Sequence, residues 1–81
     1  MKVIVKLFAS YKELTGKNEI LVTLDKNATV ETLLDVLFTE YPQLKTHKEM
    51  VTIARNKKFV KLTEPLNDND EVALLPPVSG G

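Results

Sequence analysis

Few side chains in this sequence are equipped for chemistry. There is no cysteine, which excludes a thiolate nucleophile and a cysteine-based zinc site. The one histidine, His47, sits among Lys45, Thr46, Lys48 and Glu49 and reads as a solvated loop residue rather than a base or a metal ligand. Asp68 to Glu71 lacks the ligand spacing of a calcium loop and reads as a turn. The three glycines are Gly16, Gly80 and Gly81, too scattered for a phosphate cradle. Two of them close the sequence, after Pro76-Pro77. At an average glycine usage of about 7%, a Gly-Gly end arises by chance roughly once in two hundred chains. Without a Cβ on either residue, a terminal carboxylate can thread a channel that side chains would block. The two prolines fix φ and launch the segment in an extended direction, with a reach to Gly81 of at most about 20 Å. A carboxylate becomes electrophilic once it has attacked ATP to give an acyl adenylate, a step that a partner enzyme has to supply. Sulfur from a donor can then displace the adenylate and leave a nucleophilic thiocarboxylate. The expected reactive group is therefore the main-chain end at Gly81, carried on an arm of Pro76, Pro77, Val78, Ser79 and Gly80. No side chain is expected to be catalytic, and no metal or other cofactor is expected to bind.

The rest of the chain has to hold that arm. Eighty-one residues allow one domain, read as 1–75, followed by the extended tail 76–81. With 43% apolar and 27% charged residues the composition is that of an ordinary globular protein. Eleven basic residues balance eleven acidic ones, so the electrostatic footprint of a nucleic-acid binder is missing. No apolar run approaches the length of a membrane span and the first residues do not resemble a signal sequence, so the expected location is the cytoplasm.

Hydrophobic periodicity gives the elements. Val3, Val5 and Leu7 share one parity and Lys2 and Lys6 the other, which predicts a half-buried strand. Ser10 and Glu13 match a capping box, Leu14 can turn inward and Gly16 can stop a short helix. Ile20, Val22 and Leu24 alternate in a second strand over 19–25, antiparallel to the first. Thr29 can cap the strongest helix, in which Val30, Leu33, Leu34, Leu37, Phe38 and Tyr41 fall on one stripe before Pro42. Two short strands, 51–55 and 58–62, form a hairpin around Asn56-Lys57, and 71–75 makes a last strand halted by the diproline. One long crossover helix among five strands is an α+β pattern, and a β-grasp (ubiquitin-like) mixed sheet fits it with the first and last strands adjacent at its centre. A ferredoxin-like fold would require two long helices.

The single helix can cover only one sheet face. Parity places Phe8, Phe59 and Leu75 on the other, near the start of the tail, where large apolar side chains mark a protein-docking patch.

With these residues in view, the sequence resembles a known family: the small, sulfur-carrying subunits of molybdopterin synthase, the MoaD branch of the MoaD/ThiS ubiquitin-like carriers. The matching stretches are Leu7-Phe8-Ala9 with Glu13-Leu14 and Gly16, the helix from Thr29 with Leu33-Leu34 and Tyr41-Pro42, Asp70-Glu71-Val72-Ala73, and the closing Pro-Pro-Val-Ser-Gly-Gly. Asn69 stands where the family commonly has glycine, and Asn can hold the same left-handed turn. The resemblance implies a non-catalytic carrier in molybdenum cofactor biosynthesis. A MoeB-like enzyme would adenylate Gly81 with ATP and magnesium, and sulfur would be installed there from a donor. The tail would then enter a MoaE-like large subunit, which holds the catalytic residues, and give sulfur to cyclic pyranopterin monophosphate to build the dithiolene. It also implies a heterotetramer in which positions matching Phe8, Phe59 and Leu75 meet the partners. Two alternatives share the tail: a carrier for thiamine, cysteine or tRNA thiolation, and a ubiquitin-like modifier.

Overall fold

A computed structural model describes residues 1–44 and 52–75. In chain order the elements are β1 (Lys2–Leu7), α1 (Ala9–Thr15), β2 (Glu19–Thr23), α2 (Val30–Glu40), β3 (Thr52–Arg55), β4 (Lys58–Phe59) and β5 (Glu71–Leu75). The five strands form one mixed sheet in the order β2-β1-β5-β3-β4. β1 runs antiparallel to β2 and parallel to β5, and β5 runs antiparallel to β3. This is the β-grasp arrangement expected from the element order, with the first and last strands side by side at the centre.

The core follows from the periodicities. Val3, Val5 and Leu7 of β1, Ile20 and Val22 of β2, and Val72 and Leu74 of β5 are all buried on one sheet face. Against them pack Val30, Leu33, Leu34, Leu37 and Phe38, the apolar stripe of α2. The helix starts where its cap chemistry allows. Thr29 Oγ1 accepts from the Thr32 N–H and Thr32 Oγ1 from the Thr29 N–H, both at 3.4 Å, so two of the orphan donors of the first turn are satisfied. Burying one stripe of α2 leaves the opposite sheet face uncovered by any described helix.

Three local expectations need correction. α1 begins at Ala9, with extended Phe8 as its N-cap and no side-chain cap bond, so Ser10 and Glu13 lie within the helix rather than forming a capping box. Tyr11 is its fully buried residue and Leu14 is exposed, because the helix is rotated to bring the aromatic ring into the core. The fourth strand pairs only over Lys58–Phe59; after Val60 donates to Ile53 O the chain turns away, and Leu62 is exposed. The expected left-handed positions are found at Gly16 (φ 72°), Asn56 (φ 49°) and Asn69 (φ 67°), with Lys57 (φ 72°) completing the β3–β4 turn.

Candidate functional site

Sheet register assembles the candidate site on the uncovered face. Lys6 faces Glu19 on one side and Ala73 on the other; Ala73 faces Ala54, and Ala54 faces Phe59. One row therefore runs Glu19, Lys6, Ala73, Ala54, Phe59 across all five strands. The next row toward the C-terminal end of β5 holds Leu75 opposite Thr52. Phe8 follows one residue beyond the Leu7–Leu74 pair, as Leu75 does on the adjoining strand. Phe59 is 76% exposed and Phe8 46%, while Leu75 is half-buried. The three residues expected on this face are on it, with two alanines as a low floor between the aromatic rings.

Two further apolar residues belong to the face. Ile4 is opposite both Leu21 and Glu71, and Leu21 is 62% exposed. Their signal was present in the sequence, since Leu21 has the parity of Glu19 and Thr23 and Ile4 that of Lys2 and Lys6. An isolated exposed leucine is common enough that parity alone does not mark it.

The charges of the face are partly matched. Lys6 Nζ donates to Glu19, and this bond, with the adjacent negative charge, holds the ammonium above its ordinary pKa of 10.5; Glu71 adds a smaller push in the same direction. At the other end a buried carboxylate organises the turn before β5. Asp70 Oδ2 accepts from the Asn67 N–H at 2.8 Å, and Asp70 Oδ1 accepts from Asn56 Nδ2 at 3.1 Å. Arg55 lies 3.7 Å from Asp70 and 3.3 Å from Glu64, and donates to the Pro65 carbonyl at 2.8 Å. The acidic run expected to be a turn is thus one, with Asp70 as its buried anchor. Among the described residues no cluster of three His, Cys, Asp or Glu side chains could hold a metal ion, and no helix is long and apolar enough to cross a membrane.

Pro76, Pro77, Val78, Ser79, Gly80 and Gly81 lie outside the described residues, as does His47. What the fold does fix is where β5 ends. β5 is hydrogen-bonded on both sides, by β1 and β3, and its last residue, Leu75, belongs to the apolar face. A segment leaving there starts from a strand held by two neighbours and beside the patch.

Comparison with known proteins gives this chain a family. The model of the ThiS family matches residues 5–81. The molybdopterin synthase sulfur carrier subunit of Dictyostelium discoideum is 37% identical, over 93% of this chain and 91% of its own. Small archaeal modifier protein 1 of Haloferax volcanii is 36% identical, over 94% of this chain and 97% of its own; the SAMP1 crystal structure from that organism covers both chains completely with a TM-score of 0.91 and 34% identity. A chain in the solved protein–protein complex of subunits 1 and 2 of the molybdopterin-converting factor from Helicobacter pylori 26695 is similar over the full length of both chains, at 29% identity and a TM-score of 0.72. The chain has the ubiquitin-like β-grasp fold and belongs to the ThiS family, among whose members are the molybdopterin synthase sulfur carriers.

Proposed function

We propose that this protein is the sulfur carrier of a molybdopterin synthase, loaded at Gly81. The observation that carries the reading is the conjunction at β5: a family match that runs through to Gly81, and a central strand whose end lies beside an apolar face. In this reading Gly81 is the terminal residue. Its carboxylate attacks the α-phosphorus of ATP in the active site of an adenylating partner, forming a carboxyl–phosphate anhydride and releasing pyrophosphate. Hydrosulfide, the sulfur donor at the oxidation level this step needs, then attacks the acyl carbon, AMP leaves with the electron pair of the broken C–O bond, the S–H proton is released, and a thiocarboxylate remains. ATP and magnesium act in the partner. The residues of this chain contribute presentation: Pro76 and Pro77 direct the arm, Val78 and Ser79 extend it, and Gly80 and Gly81 let the acyl carbon approach a reactive centre. Phe8, Phe59 and Leu75 provide the apolar contact by which the large synthase subunit and the adenylating enzyme hold the carrier in turn. The large subunit supplies the residues that catalyse transfer of sulfur to cyclic pyranopterin monophosphate.

A second reading has its own support in the similarity to small archaeal modifier protein 1. There the same activated carboxyl group would be attacked by a lysine amine of another protein. One experiment separates them. The protein is incubated with the adenylating enzyme encoded in the same genome, ATP, magnesium and a sulfur source, and its mass is measured. A gain equal to the replacement of oxygen by sulfur, lost when Gly81 is deleted or followed by an added residue, is the expected result. Pterin conversion that proceeds unimpaired with the extended variant would reject the mechanism, and isopeptide adducts at Gly81 in cells would establish the second reading.

A further inference from the structure

Charge along the sheet is compensated at the β2 edge and left open at the β4 edge. Beside β2, Lys6 is held by Glu19. Around β4 the chain carries Lys57, Lys58 and Lys61, all exposed, and among the described residues none of them has an acidic partner. The neighbouring Arg55 is different, being neutralised by Glu64 and Asp70. Lys58, Phe59 and Lys61 line one open cavity of about 620 Å³, shared with Arg55 and Glu64. The most exposed aromatic ring of the described residues therefore stands inside a local excess of positive charge. The whole sequence is nonetheless neutral. Glu31, Asp35 and Glu40 lie on the exposed side of α2, the helix that covers the opposite face of the sheet. Three of the ten lysines are thus gathered at the patch corner, away from the acidic side of α2.

We infer that the β4 corner docks on a protein surface made of an apolar socket for Phe59 bordered by carboxylates, and that this charge match sets the orientation in which the carrier lands. The inference rests on the proposed sulfur-carrier reading of the same face and adds the chemistry of the partner's contact. Aromatic residues at the centre of a docking patch supply most of the affinity, whereas charges at its edge act chiefly on association rate, orientation and salt dependence. An uncompensated corner beside an otherwise balanced face is the arrangement that distinguishes one landing angle from its reverse. The angle matters because the tail departs from Leu75 and reaches at most about 20 Å. Nucleic acid is the weaker candidate, since the net charge is zero and the basic cluster is confined to one corner.

The test uses the full chain, the large synthase subunit and the adenylating enzyme from the same genome. Association rates are measured by stopped flow at low and high salt for the wild type, K58E/K61E, K58Q/K61Q and Phe59→Ala, with a thermal melt of each. The expected result is a wild-type rate that falls about tenfold or more with salt. The charge-reversed pair should be slower by a similar factor at low salt and gain rate as salt is added, with the glutamine pair in between and least sensitive to salt, and both melts unchanged. Association that depends on Phe59 but is the same in K58E/K61E as in the wild type overturns this inference and leaves the carrier reading standing. A wild type that binds neither partner overturns both. Tighter binding of a single-stranded oligonucleotide than of either protein, abolished in K58E/K61E, would replace the acidic protein surface with nucleic acid.

Discussion

Asn56 combines three structural tasks in one side chain. Its φ of 49° lies in the left-handed region, its Nδ2 donates to Asp70, and its Oδ1 accepts from the Glu71 N–H at 3.0 Å. Asparagine tolerates that φ better than residues without a short polar side chain. Asn56→Ala is therefore expected to lose about 2–3 kcal/mol, because strain adds to an unpaired buried carboxylate oxygen and an unpaired amide. Asn56→Gly relieves the strain and keeps the bond losses, so its denaturation midpoint should fall between the two. Equal midpoints for the two variants would remove the conformational part of the argument. Tyr11 supports a prediction about pH. Burial disfavours the phenolate and holds its pKa above the ordinary 10.0. The neutral form is favoured by folding, so this contribution is complete below pH 10.0 and is lost as pH rises through the higher folded-state value. Lys6, raised by Glu19, loses its contribution in the same direction above 10.5. Wild-type stability should consequently decline on the alkaline side, and Tyr11→Phe should decline less steeply. Denaturant titrations at several alkaline pH values check this, and identical slopes for the two proteins would count against the burial effect.

At the scale of elements, α2 supplies the apolar stripe that packs against the sheet. Leu37 is fully buried between the helix and the strands, and Leu37→Ala should cost about 3 kcal/mol through lost transfer energy and a residual cavity. Loss of the Thr29 cap is smaller: Thr29→Ala should cost about 1 kcal/mol, seen in the same unfolding experiment. Both effects rest on features legible in the sequence, because a stripe at helical spacing and a threonine before it are local signals. β1, β2 and β5 were legible for the same reason, as strict alternation survives whatever they pack against. α1 was not. Its capping signal at Ser10 and Glu13 lost to a tertiary demand: the chain must leave β1 at Phe8 and bring Tyr11 inward, so helix rotation is set by the core and Leu14 is turned out. β4 was overextended for a related reason. Alternation through Leu62 continues in the sequence, but backbone pairing stops once Val60 has bonded to Ile53, and the chain then folds into a turn closed by Glu64 N–H on Lys61 O. Of the candidate site, the three patch residues could be read from parity, whereas the joining of Ile4 and Leu21 to them required the register between strands.

The molecule as a whole separates what keeps it folded from what it offers to other proteins. One sheet face and α2 bury the core, whereas Phe59 projects from the other face with 76% of its surface exposed. A substitution that acts on only one of these functions should be recognisable by its effect on the other. Phe59→Asp removes little buried area and places its charge in water near three lysines, so its stability is expected to stay within about 0.5 kcal/mol of the wild type. Its affinity for the large synthase subunit should nevertheless fall tenfold or more, since an ionised carboxylate would have to enter an apolar socket. Leu74→Ala is the mirror case. Leu74 is fully buried one residue before Leu75, so truncation should cost about 3 kcal/mol while the remaining folded protein binds with wild-type affinity. Calorimetric melting beside titration of the folded fraction against the large subunit measures both quantities on the same samples. If Phe59→Asp melted as early as Leu74→Ala, the ring would be part of the core. If it bound as tightly as the wild type, the uncovered face would not be where the carrier meets this partner.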